Sequence, residues 1–517
     1  MAQAEVLPTA FELAFPERRR PKWSFPSVSR RRRAQGQPAS SSAPAADDPD
    51  FKLPKRINLA TILITNCLMQ LSFFVVVSSS NAYAQYLGGT STFSGLVIGI
   101  PTLFSGIALL PLMRFDQGGY RIPMHFACAM AVLGHVLYAL AYPAGYLYLI
   151  LLGRIVSGFS FTFFMYTKRY CSDHRIVGVR RRTTLAGFLV LGQGIGFSLG
   201  PFMGGLLYKV GFSNKVFNGY TSPGWVMAAI WAAWWVFAAT HFEDVPREPP
   251  LPAAAPATSP VSEEIELSAI SAPQNTSAVE VPSSKSRDGF KADGETQVAE
   301  IAAPANAEST AESLDASPPR MRMTAEQIGV TATMCWFAMT CFFTLGAFEA
   351  NIPVYTAYAY GFSPYAAGNL IALGGAATFP FLLANVFVAR RTQDRFTLLA
   401  GTAAGAAGLL LLLGALAGRA ASRGVLFAAW FLVALGFNLA STVTLSLLSK
   451  QLPGAWNTRV SVAIQYSNFT GRVCGAVWGG AGVAIGMEAY VGLQLAIVGI
   501  GAVMFSVLWR QLKAKTG

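Results

Sequence analysis

Three charged side chains stand inside long apolar runs of this chain: Arg154, Glu349 and Arg472. A charge near the centre of a bilayer costs at least about 2.5 to 3.5 kcal/mol on insertion scales, so each needs a partner or a task. Arg154 lies too deep in its run to reach water easily. Its guanidinium either caps carbonyls of a neighbouring helix, or acts as a cation that attracts an anionic substrate or tunes a protonatable acid. Glu349 is the one acid set well inside the runs of the second half, four residues before Pro353 and near the far end of its segment. That position suits a carboxylate solvated at the interface. It equally suits a group that alternates between charged and neutral forms, as coupling to a proton requires. Arg472 is the natural second cation, facing the first half across a central cavity, with packing against helix carbonyls as the plainer reading.

Gln193 and Gln465 are the amides best placed to line a pathway, although amides also serve as glue between helices. Gln70, Asn81, Gln85, Asn438, Tyr466 and Asn468 carry the same two readings. His135, in the middle of the third run, reads as a structural histidine rather than a proton carrier. Outside the runs, Asp116-Gln117-Gly118-Gly119-Tyr120-Arg121 puts an acid, a glycine turn and a base into one short loop. Asp116, Gly119 and Arg121 would form a latch that holds neighbouring helix ends in one state and releases them in another, with the Arg180 to Arg182 cluster as partners. The competing reading is an exposed acid in a basic loop.

Enzyme chemistry finds no foothold. There is no nucleophile elbow, no glycosidase-like carboxylate pair, no metal-ligand cluster and no phosphate loop, and Gly192-x-Gly194-x-Gly196 lacks the strand that nucleotide binding needs in front of it. The six cysteines have neither metal nor disulfide spacing. No cofactor and no metal are expected.

The most patterned segment is GFLVLGQGIGFSLGPFMGG, from Gly187 to Gly205. Gly192, Gly196, Gly200 and Gly204 fall four apart on one smooth helix face, which in a bilayer invites close approach of a neighbouring helix. Pro201 has no amide proton for the carbonyl of Phe197, so the hydrogen-bond ladder is weakened beside that face. A bendable helix with a close-packed side suggests a moving part.

The elements that must position these residues follow from composition. The 517 residues are 53% hydrophobic and 13% charged, which marks an all-α polytopic membrane protein. Apolar runs of about 20 residues, enough to span, begin near Ile57, Ser91, Met124, Tyr146, Thr183, Pro223, Ile328, Tyr365, Phe396, Val425, Val460 and Met487. These predict twelve transmembrane helices as two six-helix bundles, residues 57–242 and 328–510. Residues 1–56 read as a disordered basic tail, 243–327 as a disordered loop rich in Ala, Pro, Ser, Glu and Thr, and 511–517 as a short tail. Placing both termini in the cytoplasm puts 33 of the 39 basic residues on that side. The net charge of +13 is therefore mostly topology and no evidence for nucleic acid. The first span itself must direct insertion, since the first 50 residues lack an apolar signal region.

The two halves echo each other. Gly158-Phe159 is matched by Gly436-Phe437, 278 residues later, and the stripe in the fifth span by Gly471, Gly475 and Gly479 in the eleventh. Paired six-helix bundles of this kind are the parallel-repeat plan of a rocking transporter.

On these residues the chain resembles the major facilitator superfamily. Gly187-x8-Gly196-x3-Gly200-Pro201-x2-Gly204-Gly205 matches the fifth-helix motif of the proton-coupled antiporters of that family at every fixed position. Asp116, Gly119 and Arg121 match the D-x-x-G-x-R core of the loop after the second helix, with Leu112 in place of the usual glycine. Arg154 to Gly158 is similar to the fourth-helix motif of proton-coupled members. The segment Tyr170 to His174, the Arg180 to Arg182 cluster and Phe348-Glu349 ahead of Pro353 resemble the lysosomal and vacuolar group that includes CLN7-like and SPX-domain transporters. No SPX domain fits into the 56 residues before the first span.

The resemblance implies a monomeric secondary transporter that exchanges a small solute for protons by alternating access. It implies Arg154, Gln193, Glu349, Gln465 and Arg472 along the pathway, and Asp116, Gly119, Arg121, Gly196, Gly200, Pro201 and Gly204 as gate or hinge. A symporter or uniporter, a channel-like anion conductance and a non-transporting sensor remain as other readings. The expected site is a vacuolar, lysosomal or plasma membrane.

Overall fold

The computed structural model describes residues 51–114, 118–173, 175–211, 214–245, 323–388, 392–452 and 457–513. In the first half lie α1 (Arg56–Phe74), α2 (Ser80–Tyr86), α3 (Ser91–Arg114), α4 (Arg121–Ala144), α5 (Leu147–Ser160), α6 (Phe163–Ser172), α7 (Val179–Val210) and α8 (Ser222–His241). In the second lie α9 (Ala325–Tyr360), α10 (Pro364–Val388), α11 (Asp394–Ala417), α12 (Arg423–Gln451), α13 (Asn457–Ile485) and α14 (Met487–Val507).

Eleven of these stretches, with α5 and α6 taken as one, are long and apolar enough to cross a bilayer. α13 has the length, 29 residues, but Arg459, Arg472 and its hydroxyl and amide side chains lower its hydropathy. It lies against two crossing helices, α9 and α3, and completes the expected twelve. The helices pack as two bundles, α1 to α8 and α9 to α14, which meet along α3 with α13 and α7 with α10.

Two spans are broken. α1 ends at Phe74 and α2 starts at Ser80, around the sequence Val75-Val76-Val77-Ser78-Ser79. β-Branched residues lose side-chain freedom in a helix, and serine offers the backbone rival hydrogen bonds, so this run is a poor helix former. The Val77 amide turns to the Phe74 carbonyl at 3.1 Å, an i→i−3 bond in place of the α-helical one. The fourth span breaks between Ser160 and Phe163, where Ser160 Oγ donates to the Ser157 carbonyl and Thr162 Oγ1 to that of Phe159.

The bundle boundaries shift slightly from those expected. α9 begins at Ala325, three residues ahead of Ile328, because Thr324 and Gln327 form a reciprocal capping box one turn before the apolar run. At the other edge of the 243–327 segment, Glu243 is tied down: Asn58 Nδ2 donates to its carbonyl at 2.9 Å, and its own amide donates to Asn58 Oδ1 at 3.2 Å. The expected disorder of 1–50 and 246–322 lies outside the described residues.

Burial distinguishes the two ends of the molecule. Every residue from 72 to 81 and from 343 to 356 is buried, whereas on α1 before residue 71 and α9 before residue 342 buried and exposed positions alternate. The bundles are thus closed around the first and seventh spans at the far end, where α2 and the end of α9 lie.

Candidate functional site

α9 carries Glu349 eleven residues before its C-terminus, not near an interface. The helix runs on through Pro353 to Tyr360, and every residue from 343 to 356 is buried, which leaves the acid 1% exposed. The solvated carboxylate expected as one reading is therefore corrected. Arg472 of α13 donates from one terminal nitrogen to Glu349 Oε2. Glu349 Oε1, also buried, has no hydrogen-bond partner among the described residues. The same guanidinium lies 4.7 Å from the centre of the Phe73 ring and 5.1 Å from that of Phe74, both on α1 of the other bundle. A cation buried with its counter-ion on one side and aromatic faces on the other is held by charge and by ring quadrupoles together.

Arg154 of α5 is 1% exposed and caps carbonyls. Its Nε donates to Val97 at 3.2 Å, and its terminal nitrogens reach the carbonyls of Ser72 at 3.5 Å and Phe73 at 3.4 Å. The last two are carbonyls near the broken end of α1, where the helix no longer supplies every donor. Arg154 also sits 5.6 Å from the Phe73 ring, so Phe73 touches both the buried Arg154 and the partly buried Arg472. His135 pairs its Nε2 with Ser72 Oγ at 3.0 Å, a hydrogen-bonded buried histidine.

Aromatic rings extend this cluster across both bundles. Phe74 meets Phe197 of α7 edge-on at 4.7 Å, Phe197 approaches Trp430 of α12 at 6.4 Å, and Trp430 stacks on Phe348 of α9 at 6.1 Å. α10 makes room for them through glycine: a Cβ on Gly375 would lie 2.7 Å from Phe197 Cδ1, and one on Gly374 would run into the Trp430 ring.

The glycine stripes pack as the repeat demands. A Cβ on Gly196 would meet the Cys67 carbonyl at 2.7 Å, and those on Gly200 and Gly204 would collide with Phe74 and Val75, so the fifth-span stripe lies on α1. Gly471, Gly475 and Gly479 abut the carbonyls of Met339, Phe343 and Ala347, so the eleventh-span stripe lies on α9 in the same manner. Pro201 faces α10, where its carbonyl is close against Gly368. A methyl group added at Gly187 would meet nothing within 4 Å. The fourth-span echo is misaligned by sequence: Gly158 packs on Pro101 of α3, whereas Gly436 packs on Gly401 and Gly405 of α11. The packing counterpart of Gly436 is Gly153, which meets Gly134 and Tyr138 of α4.

Residues 62–476 match the sequence profile of the Major Facilitator Superfamily. The chain belongs to that superfamily. This facilitator is 31% identical over 479 residues to an uncharacterized MFS-type transporter of Schizosaccharomyces pombe, covering 91% of this chain and 85% of that one. It is 32% identical over 196 residues to an SPX domain-containing membrane protein of Arabidopsis thaliana, a match covering 37% of this chain and 27% of that protein. Among solved structures it is similar to a bacterial homolog of the human lysosomal transporter Spinster, in an inward-facing and occupied conformation, with a TM-score of 0.58 at 12% identity over 87% of this chain and 96% of that one. The facilitator is accordingly a multi-pass membrane protein that carries a solute, not an enzyme.

At the near end of the facilitator, Asp116 lies outside the described residues, whereas Gly119 and Arg121 are described. Gly119 and Arg121 lie beside Asp244, which follows α8: its carboxylate accepts from the Tyr120 amide at 2.8 Å and the Arg121 amide at 3.3 Å, satisfying orphan donors at the start of α4. Arg121 also donates to the Ala239 carbonyl at 3.3 Å. On the other flank Asp173 accepts from Tyr120 Oη at 2.7 Å and Arg175 at 2.6 Å, and Arg175 reaches the Gly118 carbonyl at 2.8 Å. Burial pushes the Asp173 carboxyl up, but hydrogen bonds from Arg175 and Tyr120 outweigh it and hold the group down at about 2. Sequence reasoning did not assign these roles to Asp173, Arg175 and Asp244. The Asp-x-Arg spacing and an acid directly after the sixth span were the available signals.

Gln193 is glue: its Nε2 donates to Asn66 Oδ1 of α1 at 3.2 Å, while Asn66 donates to the Leu189 carbonyl at 2.9 Å. Gln465 is half-buried on α13, next to Tyr466, whose hydroxyl donates across the bundle boundary to the Gly106 carbonyl at 2.8 Å. Among the described residues no group of three or more His, Cys, Asp or Glu side chains could hold a metal ion.

Proposed function

We propose that this facilitator exchanges a small solute for protons by alternating access, with Glu349 as the proton-bearing group. The observation that carries the reading is a carboxylate buried at the midst of α9 and paired with Arg472, which itself bears on α1 of the opposite bundle. Protonation of Glu349 removes one charge of the pair and leaves Arg472 to seek another partner, so the ionic state of α9 is tied to the contact between bundles. The antiport sense is supported by the fifth-helix glycine motif and its packing on α1.

Arg472 favours a second reading. Once Glu349 is protonated, the freed guanidinium is a ready site for an anionic solute, which would then travel with the proton. The direction of an imposed pH gradient separates the two. Purified protein in proteoliposomes is offered a panel of drugs, amino acids, sugars and inorganic anions with the inside acidic, alkaline or equal. Uptake driven by an acidic interior supports exchange, and uptake driven by an acidic exterior supports co-transport. Flux indifferent to pH, or a current that does not saturate with solute, overturns proton coupling.

The excess of Lys and Arg at the near end supports cytoplasmic termini. In that orientation the closed far end makes this an inward-facing state. The resemblance of the segment Tyr170 to His174 and of Phe348-Glu349 to the lysosomal and vacuolar group implies a vacuolar or lysosomal membrane, which a fluorescent fusion would tell from the plasma membrane.

A further inference from the structure

The rings of Phe73, Phe74, Phe197, Trp430 and Phe348 form a contiguous layer through four helices of both bundles. Glu349 follows Phe348 directly, and Arg472 lies over Phe73 and Phe74. The layer stands where α1 and α9 pass from one-sided to complete burial. Two of its links join the bundles: the Arg472 contacts with Phe73 and Phe74, and the approach of Phe197 to Trp430 at 6.4 Å. Both must part when the far end opens.

From this geometry we infer that the aromatic layer is a septum that denies Glu349 access from the far end while the near end is open. The inference rests on the reading of Glu349 as the proton-bearing group and adds the residues that keep its exchange one-sided. A carboxylate reachable from both ends at once conducts protons without solute, because it can be loaded from one side and unloaded to the other. The septum prevents this in two ways. Its rings fill the space that a water file would need, and Phe73 and Phe74 hold Arg472 against the acid by cation–π contact. Arg154 serves as a positioning residue, since it fixes the Ser72 and Phe73 carbonyls at the end of α1 and so sets the direction of the Phe73 and Phe74 side chains.

The test needs no substrate. Proteoliposomes holding a pH-sensitive dye are given a potassium diffusion potential, and the rate of internal pH change is followed. Wild-type protein should leak no faster than empty vesicles. Phe74→Ala with Phe197→Ala should raise the leak by about tenfold, the ratio that losing a desolvated cation–π contact sustains. Adding Glu349→Gln to that pair should return the leak to the wild-type level. Should the alanine pair fail to give monodisperse protein, Phe74→Leu with Phe197→Leu keeps most of the volume without the ring faces and should give an intermediate leak. A folded variant pair that leaks no more than wild type overturns the septum, as does a leak that persists with Glu349→Gln. If solute flux in otherwise wild-type protein keeps its pH-gradient dependence with Glu349→Gln, the proton-bearing role fails instead, so the two failures are distinguishable.

Discussion

Arg472 of α13 rests its guanidinium 4.7 Å from the centre of the Phe73 ring of α1 while donating to Glu349 of α9. One side chain thus belongs at once to an ion pair inside the second bundle and to the boundary with the first. This double attachment explains why a second cation is placed on a glycine-rich helix. The glycines bring α13 close enough to α9 for the pair to form, and leave the far side of Arg472 open to α1.

The pair should behave as a unit in stability measurements. Arg472→Ala leaves a buried carboxylate unpaired and is expected to destabilise the protein by about 3–5 kcal/mol. The double variant Glu349→Gln/Arg472→Met, which removes both charges and keeps the volume, should recover most of that loss. Thermal unfolding in detergent by intrinsic fluorescence measures both. Equal losses in the single and double variants would show that the pair is not coupled.

The glycine stripe divides its own members. Gly200→Val or Gly204→Val drives a side chain into Phe74 or Val75 of α1, and the protein should insert normally but fail to exchange solute. Gly187→Ala meets nothing within 4 Å and should be neutral or stabilising by up to about 1 kcal/mol. Membrane yield and counterflow assays on the three variants suffice. Normal exchange by both valine variants would reduce the stripe to packing.

Asp173 gives the near end a pH dependence of known sign. Its carboxyl is held at about 2 against a usual 3.8, so the folded state keeps the charged form more strongly than the unfolded chain does. The stabilisation is fully present above pH 4 and disappears as pH falls toward 2. Asp173→Asn should lower the melting temperature at pH 7 and flatten its pH dependence between about 4 and 2. A variant curve parallel to the wild-type one would assign that dependence to other carboxyls.

Asp244 caps a helix from a distance. Asp244→Ala removes the acceptor for the Tyr120 and Arg121 amides and should cost about 1 kcal/mol, as loss of an N-terminal cap does. Gly119→Ala should have a similar effect for a different reason, because its Cβ would stand 2.7 Å from Asp244 Oδ2. If the two effects add fully in the double variant, the residues do not act on one contact.

Much of this architecture could be read from the chain, because membrane spans advertise themselves through length and apolarity. The two bundles, the packing of both glycine stripes and the placement of Arg154 and Arg472 inside helices followed from residue type and spacing alone. What escaped the sequence depended on where helices stop. Glu349 reads as interfacial only if the span closes about 20 residues after Ile328; α9 instead continues through Pro353 to Tyr360, so the acid lies inside the helix. The break in α1 decides which carbonyls Arg154 meets, and three valines inside an apolar run look like ordinary lipid-facing sequence. The aromatic layer was hidden because its rings come from helices distant in sequence, with no shared spacing to reveal them.

α9 runs without interruption from Ala325 to Tyr360, 36 residues, or about 54 Å at helical rise, against a hydrocarbon layer about 30 Å thick. A rod of that length must lean or stand out of the bilayer, and its early turns expose Glu326 and Ile328. The rod begins where the long central segment rejoins the fold and carries Glu349 on its way to the far end. A fluorophore at Glu326 would therefore read out the swing of the second bundle from outside the membrane, at a position that touches none of the machinery.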